Sequence, residues 1–445
     1  MNHRWILPIG TELSFEGLSG PIRILRGLGA GTQGQVFAVD VAGEELALKW
    51  YLPACIAGDP HLKRRLNDSI RLSAPNADFL WPIALLMPTS ATAELIPLAE
   101  PGFGYLMPIR PPGYLGALEH AGGDLEITLQ NVVKAGFYLA DGFYELHLKG
   151  LCYKDISLSN LFLEPSSGKI LICDNDNVDI NGRELGNVLG TPGFMAPEIL
   201  LRQAKPGAES DLFSLAVLLF RLLTRHDPLK GKLELAIRCL DEPARRRLYG
   251  EDPVFIFDPV DTRNRPDPEE HGAALLTWPI YPRRIQTLFE QAFCTGIKRP
   301  NQRPLTGQWK SAMARCLDQR VICTHCNQEA FPEHGSKATC WNCGEDLAPA
   351  SSMELAAGQV AISAGNELHG YHFDKLSSES LNQSVAKVVA HPSNPTILGL
   401  QNLTSKPWRG ERLDGHAFEV DPGRSCNLAA LRVVHTPQGT ITILH

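Results

Sequence analysis

The stretch Tyr153-Lys154-Asp155-Ile156-Ser157-Leu158-Ser159-Asn160 is followed by a short strand-like run from Lys169 to Cys173 and then by Asp174. This spacing constrains the chain more than any other feature in it. A five-residue loop and a short hairpin would bring Asp155, Asn160 and Asp174 to one edge of a cleft. Phosphoryl transfer needs such a set: a carboxylate to accept a hydroxyl proton, and oxygen ligands to hold magnesium against the β- and γ-phosphates. Asp155 fits the first role, and Asn160 and Asp174 fit the second.

Upstream, Gly29-Ala30-Gly31-Thr32-Gln33-Gly34-Gln35-Val36 fits G-x-G-x-x-G-x-V, a turn whose missing side chains let backbone amides approach phosphate oxygens. A glycine triplet alone also fits a plain hairpin, and a lone lysine fits a solvated surface. Here Ala47-Leu48-Lys49 follows at the distance of the next strand but one, which places an ammonium group beneath the glycine loop.

Together these residues resemble the eukaryotic-type protein kinases. The resemblance runs from residue 22 to about 318, and further landmarks keep its order: Gly190-Thr191-Pro192-Gly193-Phe194-Met195-Ala196-Pro197-Glu198, Asp211 at the start of an apolar helix, and Arg303 as the partner of Glu198. It implies a bilobal α+β fold that binds ATP and Mg2+. Lys49 is then the lysine of the third strand, Asp155 the catalytic base, Asn160 and Asp174 the magnesium ligands, and Thr191 a hydroxyl donor to Asp155. The nucleotide would lie against Gly29, Gly31, Gly34, Val36, Ala47 and Met107. The implied activity is transfer of the ATP γ-phosphate to a serine or threonine of a protein substrate.

Several positions depart from the family pattern. Its Asp-Phe-Gly reads Asp174-Asn175-Asp176, with Asp176 either a further metal ligand or a solvated loop residue. Ser157 stands where these enzymes usually carry a lysine toward the transferred phosphate, and Lys154 replaces the arginine before the base. The small-lobe helix has no glutamate for Lys49, so Asp68 is the best acid by spacing. The segment from Asp174 to Gly190 holds no serine, threonine or tyrosine, which implies activity without a phosphorylated activation segment. These departures also leave room for a nucleotide-binding pseudokinase acting as scaffold or switch.

Behind this region, Cys323-Thr324-His325-Cys326 and Cys340-Trp341-Asn342-Cys343 form two C-x2-C knuckles. Four thiolates close a tetrahedral zinc site, and so short a segment buries too little to fold without metal. His325 and His334 are alternative ligands left spare by the four cysteines. The remaining seven cysteines are scattered without a disulfide framework, which points to the cytoplasm.

With 445 residues and roughly 150 per domain, about three units are expected. They are a kinase domain over 1–318, with a small lobe to about 109 and a large lobe over 110–318, a zinc ribbon over 319–349, and an all-β sandwich or barrel over 350–445. Within them, helices are expected over 59–72, with Asp59 as a possible N-cap, and over 211–223, 283–295 and 307–319. Strands are expected near 79–86, 105–109, 385–390, 396–401 and 440–444.

The net charge of -7 provides no field for nucleic acid or an anionic membrane. The runs Lys63-Arg64-Arg65 and Arg245-Arg246-Arg247 read as solvated helix faces. Met1 to Gly10 lacks the pattern of a signal peptide. Leu212–Leu223 is too short to span a membrane and reads as a buried helix. A kinase followed by a zinc ribbon and a β-rich tail is similar to the kinase of bacterial tellurite-resistance-associated phosphorylation triads. That similarity implies a von Willebrand A-type protein and a PP2C-like phosphatase as partners.

Overall fold

The computed structural model describes residues 5–98, 102–183, 188–333, 336–347 and 351–445. His334, Met1 to Arg4 and part of the 174–190 segment therefore lie outside the described residues.

The N-terminal part is an antiparallel sheet of β1 (Glu12–Leu13), β2 (Ile22–Ala30), β3 (Gly34–Val41), β4 (Glu44–Tyr51), β5 (Ala84–Leu86) and β6 (Gly104–Pro108), in the order β1-β2-β3-β4-β6-β5. Period-2 alternation divides β4 between its two faces. Leu46, Leu48 and Trp50 enter one apolar cluster with Ile22, Ile24 and Phe37, while Ala47 and Tyr51 enter another with Tyr105, Met107, Leu62 and Leu66. Lys49 shares the second face and lies opposite Val36 on β3 and Tyr105 on β6. The expected strand near 79–86 is shorter, because Phe79 makes a single parallel bridge to Ile172 instead.

The helix expected over 59–72 is α2 (Leu62–Leu72), and a further short helix, α1 (Pro53–Gly58), precedes it. Asp59 does not cap α2 through its first turn. It ends α1 instead, and its carboxylate takes the guanidinium of Arg65 at 3.1 and 2.6 Å. The basic run 63–65 is thus only partly a solvated face: Lys63 and Arg64 are exposed, but Arg65 is 2% exposed.

The helical part is built on α3 (Leu129–Leu148), α4 (Ala208–Thr224), α5 (Arg283–Glu290) and α6 (Thr306–Asp318). Leu212–Leu223 is buried throughout except at Arg221, as a central core helix requires. The helix from 283 widens into a π-helical turn over Gln291–Thr295.

Two short hairpins follow, pairing Val321–Ile322 with Glu329–Ala330 and Ala338–Thr339 with Asp346–Leu347. The tail is a pair of antiparallel sheets, one of six strands and one of four, closing on a shared core that includes Met353, Val360, Val388, Leu400 and Trp408. That is a sandwich, not a barrel.

Tail and ribbon are joined to the helical part through polar contacts. Asp318 at the end of α6 accepts from Tyr371 at 2.6 Å and pairs with His372 at 2.9 Å, and Asp141 of α3 accepts from the amide of Ser378 at 2.7 Å. Glu329 accepts from the amide of Gln130 at the open end of α3, at 2.8 Å. Among the described residues no helix is long and apolar enough to cross a membrane, and all eleven cysteines are free thiols.

Candidate active site and metal centre

Four separate elements converge on one cleft between the sheet and the helical part. The β2–β3 turn closes through the Gly31 amide on the Gly34 carbonyl at 2.9 Å. At Gly34 a β-carbon would lie 2.2 Å from the Trp50 carbonyl, so close strand packing demands glycine there. At Gly29 and Gly31 a β-carbon would meet nothing within 4 Å among the described residues. Packing does not require glycine at those two. Ala47 pairs with Met107 in register below this loop, beside Val36.

Lys49 is 5% exposed and donates to Gln33 at 3.0 Å, Asp174 at 2.5 Å and Asp176 at 2.7 Å. Burial alone would lower its pKa, but the charge of Asp176, with Tyr105 and Asp174, holds it well above the ordinary value. Burial pushes the Asp174 carboxyl up, and Asp176 beside it pushes further. Burial works against Asp176 too, yet Lys49 and the Tyr51 hydroxyl keep its pKa below the usual carboxylate value.

Two expectations are corrected here. Asp176 is not a solvated loop residue: it is 2% exposed and accepts from Lys49 and from the Tyr51 hydroxyl. Asp68 is not the acid of Lys49. Its carboxylate pairs with Arg183 at 2.6 Å, because α2 turns Arg65 inward and leaves Asp68 facing the segment after Asp179. Nor is Asn175 a misplaced polar residue, since its amide donates to the carbonyls of Leu80 at 2.8 Å and Ile172 at 3.1 Å.

The loop bearing Asp155 is fixed from below. Asp211 of α4 accepts from the amides of Tyr153 at 2.7 Å and Lys154 at 2.9 Å, which lets Lys154 hold a left-handed φ of 70°. Asn160 donates to the Asp155 carbonyl at 3.0 Å, and its own carbonyl accepts from the Cys173 amide at 3.0 Å. The hairpin of Leu161–Leu163 with Ile170–Ile172 therefore returns the chain to Asp174 beside Asn160. Asp174 also sits at positive φ, 59°. Thr191 donates to Asp155 at 2.6 Å, and Arg303 meets Glu198 at two 2.8 Å contacts.

The segment after Asp174 is anchored by charge. Asp179 is buried and takes Lys154 at 2.9 Å and Arg183 at 2.7 Å. Sequence reasoning missed Gln33, Tyr51, Arg65 and Asp179. The only available signal was the lack of any acid but Asp68 on α2.

Residues 120–253 match the family model described as the protein kinase domain. The chain contains a protein kinase domain. Relatives of this domain include protein kinase C of Aspergillus fumigatus, 33% identical over 156 residues, which is 32% of this chain and 14% of that protein. CBL-interacting protein kinase 4 of Oryza sativa subsp. japonica is 33% identical over 128 residues, 27% of each chain. A probable serine/threonine-protein kinase 2 of Plasmodium falciparum is 38% identical over 90 residues, 19% of this chain and 17% of the relative. The likeness covers less than a third of either partner in each case, so it describes the kinase domain and not the ribbon or the tail.

Behind the kinase domain, the sulfurs of Cys323, Cys326, Cys340 and Cys343 all lie within 4.8 Å of one another. The pairs Cys323–Cys343 and Cys326–Cys340 are 3.7 and 3.6 Å apart. A tetrahedron with Zn–S bonds of about 2.3 Å has edges of about 3.8 Å, so this donor set fits zinc. Matching turns build the two knuckles, with Asn327 and Gly344 at positive φ and their amides on the carbonyls of Cys323 and Cys340. His325 is exposed and stands outside the sulfur cluster.

Proposed function

We propose that this chain is an ATP-dependent protein serine/threonine kinase in which Asp155 is the base and Asn160 and Asp174 hold Mg2+. What carries the reading is the approach of Lys49 to Asp174 and of Asn160 to Asp155, from a strand, a loop and the turn after a hairpin, inside a chain whose residues 120–253 match the kinase domain. Asp155 is half-buried, and among the described residues no donor meets the oxygen beside the one bonded to Thr191, so it can accept the proton of an incoming hydroxyl. Asn160 turns its amide nitrogen to the Asp155 carbonyl, and its oxygen, met by the Ser159 hydroxyl at a long 3.5 Å, can turn to a cation, while Asp174 is 34% exposed. Magnesium, when bound, neutralises charge on the phosphates. Lys49 adds a fixed cation near the glycine turn of Gly29, Gly31 and Gly34, where the triphosphate would lie, against Val36, Ala47 and Met107.

The activation segment supports turnover without phosphorylation. Asp179 already supplies the anion that Lys154 and Arg183 require. We place the domain boundaries at 318 and 349, with structural zinc on the four cysteines and the free thiols suited to the cytoplasm. The von Willebrand A-type and PP2C-like partners belong to this proposal through the resemblance to the phosphorylation triads.

One observation favours a second reading, a nucleotide-binding scaffold. Ser157 spends its hydroxyl on Ser159 at 2.7 Å, in the place where related enzymes carry a cation. Incubation with labelled ATP and Mg2+, with and without candidate partner proteins, separates the two. Transfer that falls roughly 100-fold or more in Asp155→Asn supports the kinase. Nucleotide binding without transfer to any protein supports the scaffold.

A further inference from the structure

The two carboxylates on Lys49 differ in accessibility. The side chain of Asp174 is 34% exposed, and that of Asp176 is 1% exposed. Asp174 therefore borders the cleft, whereas Asp176 lies behind Lys49 in the protein. Asp176 is also held from several sides. Tyr51 donates to the same oxygen that meets Lys49, and Arg65 donates to its backbone carbonyl at 3.4 Å while gripped by Asp59. The turn Asn175–Asn177 that carries it is buried, and Asn175 bonds to the Leu80 and Ile172 carbonyls.

Helix α2 supplies no alternative. Its one acid, Asp68, is committed to Arg183, and the α2 side chain that reaches this point is the cation Arg65. A lysine 5% exposed cannot be left without a counter-charge except at large cost. If Asp174 alone balanced Lys49, engaging a metal cation would strip the lysine of its partner.

We propose that Asp176 is the positioning residue of this site, the fixed counter-ion that holds Lys49 toward the nucleotide and leaves Asp174 free for the metal. It does from the loop what an acid on α2 would do from the helix. Lysine and metal ligand are then set by one rigid turn, and assembly of the site needs no movement of α2. The assignment rests on the kinase reading for the identity of the nucleotide.

The test measures binding, in the full-length chain, with a fluorescent ATP analogue in Mg2+ and in EDTA. Asp176→Asn keeps the shape of the side chain and removes its charge. Affinity in Mg2+ is expected to weaken on the order of tenfold, and the gain on adding Mg2+ should shrink because Lys49 and the cation then compete for Asp174. A folded Asp176→Asn chain with wild-type affinity and a wild-type gain from Mg2+ overturns the assignment. So does equal weakening in Mg2+ and EDTA, which a merely structural role would produce.

If Asp176→Asn melts too low for binding to be read, Tyr51→Phe replaces it, since it removes only the hydroxyl that orients the carboxylate. A two- to threefold loss of affinity, confined to Mg2+, supports the assignment, and wild-type affinity overturns it. A wild-type chain that binds nucleotide without phosphotransfer would end the kinase reading while leaving this measurement decisive.

Discussion

Thr191 donates its hydroxyl to Asp155 Oδ1 at 2.6 Å, across 36 residues of chain. The bond fixes the orientation of the proposed base, and Gly190 before it has a φ of 114° that a side chain would strain. Thr191→Ala should lower kcat about 10- to 100-fold with little change in KM for ATP. Thr191→Glu should not rescue, because a carboxylate there repels Asp155. Steady-state kinetics read both, and active enzyme phosphorylated stoichiometrically at Thr191, with activity lost on removal of that phosphate, would refute the idea.

Lys49→Met and Asp174→Ala should each abolish detectable phosphotransfer, and Asp174→Ala should also remove the dependence of nucleotide binding on Mg2+. Single-turnover assays with labelled ATP check the first outcome and binding titrations the second. Unchanged turnover in both variants would sink the assignment of the cleft.

Metal analysis should find one zinc per chain. The separate core of the kinase domain suggests at first that only the ribbon would unfold on chelation. Phe331, however, joins the large core of the helical part, and Glu329 caps α3 through Gln130. Removing zinc is therefore expected to lower the melting temperature of the kinase domain as well, by several degrees. Calorimetry with and without chelator measures this, and an unshifted kinase transition would show the ribbon to be uncoupled.

Arg303 has a side chain that is 0% exposed, and it spends its donors on Glu198, Gly296 and Glu209. Arg303→Met leaves Glu198 without its partner and should cost about 3–5 kcal/mol. Urea unfolding followed by circular dichroism gives the value. A loss below about 1 kcal/mol would mean the pair is solvated in solution.

Burial and the neighbouring charge of Asp141 push the Asp78 carboxyl up to about 7, from an ordinary value of 3.8. The native state then holds a proton that the unfolded chain releases, so this group's contribution worsens as pH rises from about 4 and is fully adverse above about 7. Asp78→Asn should therefore be more stable than wild type at pH 8, with the difference vanishing near pH 4. Melting curves across that range test the sign, and a gain that grows toward acid pH would contradict it.

Much of the site was legible in the sequence because its geometry is local. From Asp155 to Asn160 and on to Asp174 the chain has only a loop and a hairpin, and the Asn160–Cys173 bond closes that hairpin whatever surrounds it. The zinc knuckles were legible for the same reason, each being one tight turn. The capping of α2 was not, because Asp59 had a local claim as N-cap and gave its carboxylate instead to Arg65, six residues on, whose inward burial only the packing decides.

The sequence by itself determined which groups are available: the glycine loop, Lys49, the base and metal-ligand spacing, and four thiols at a separation that suits one ion. Only the tertiary structure decided which charges meet. Lys49 and Asp176 are 127 residues apart and meet at 2.7 Å, while α2 buries Arg65 and turns its one acid, Asp68, to Arg183. Short-range spacing fixes the distance between side chains on one turn or hairpin. Long-range pairing is instead selected by desolvation, since a buried cation takes whichever carboxylate the packing brings within reach.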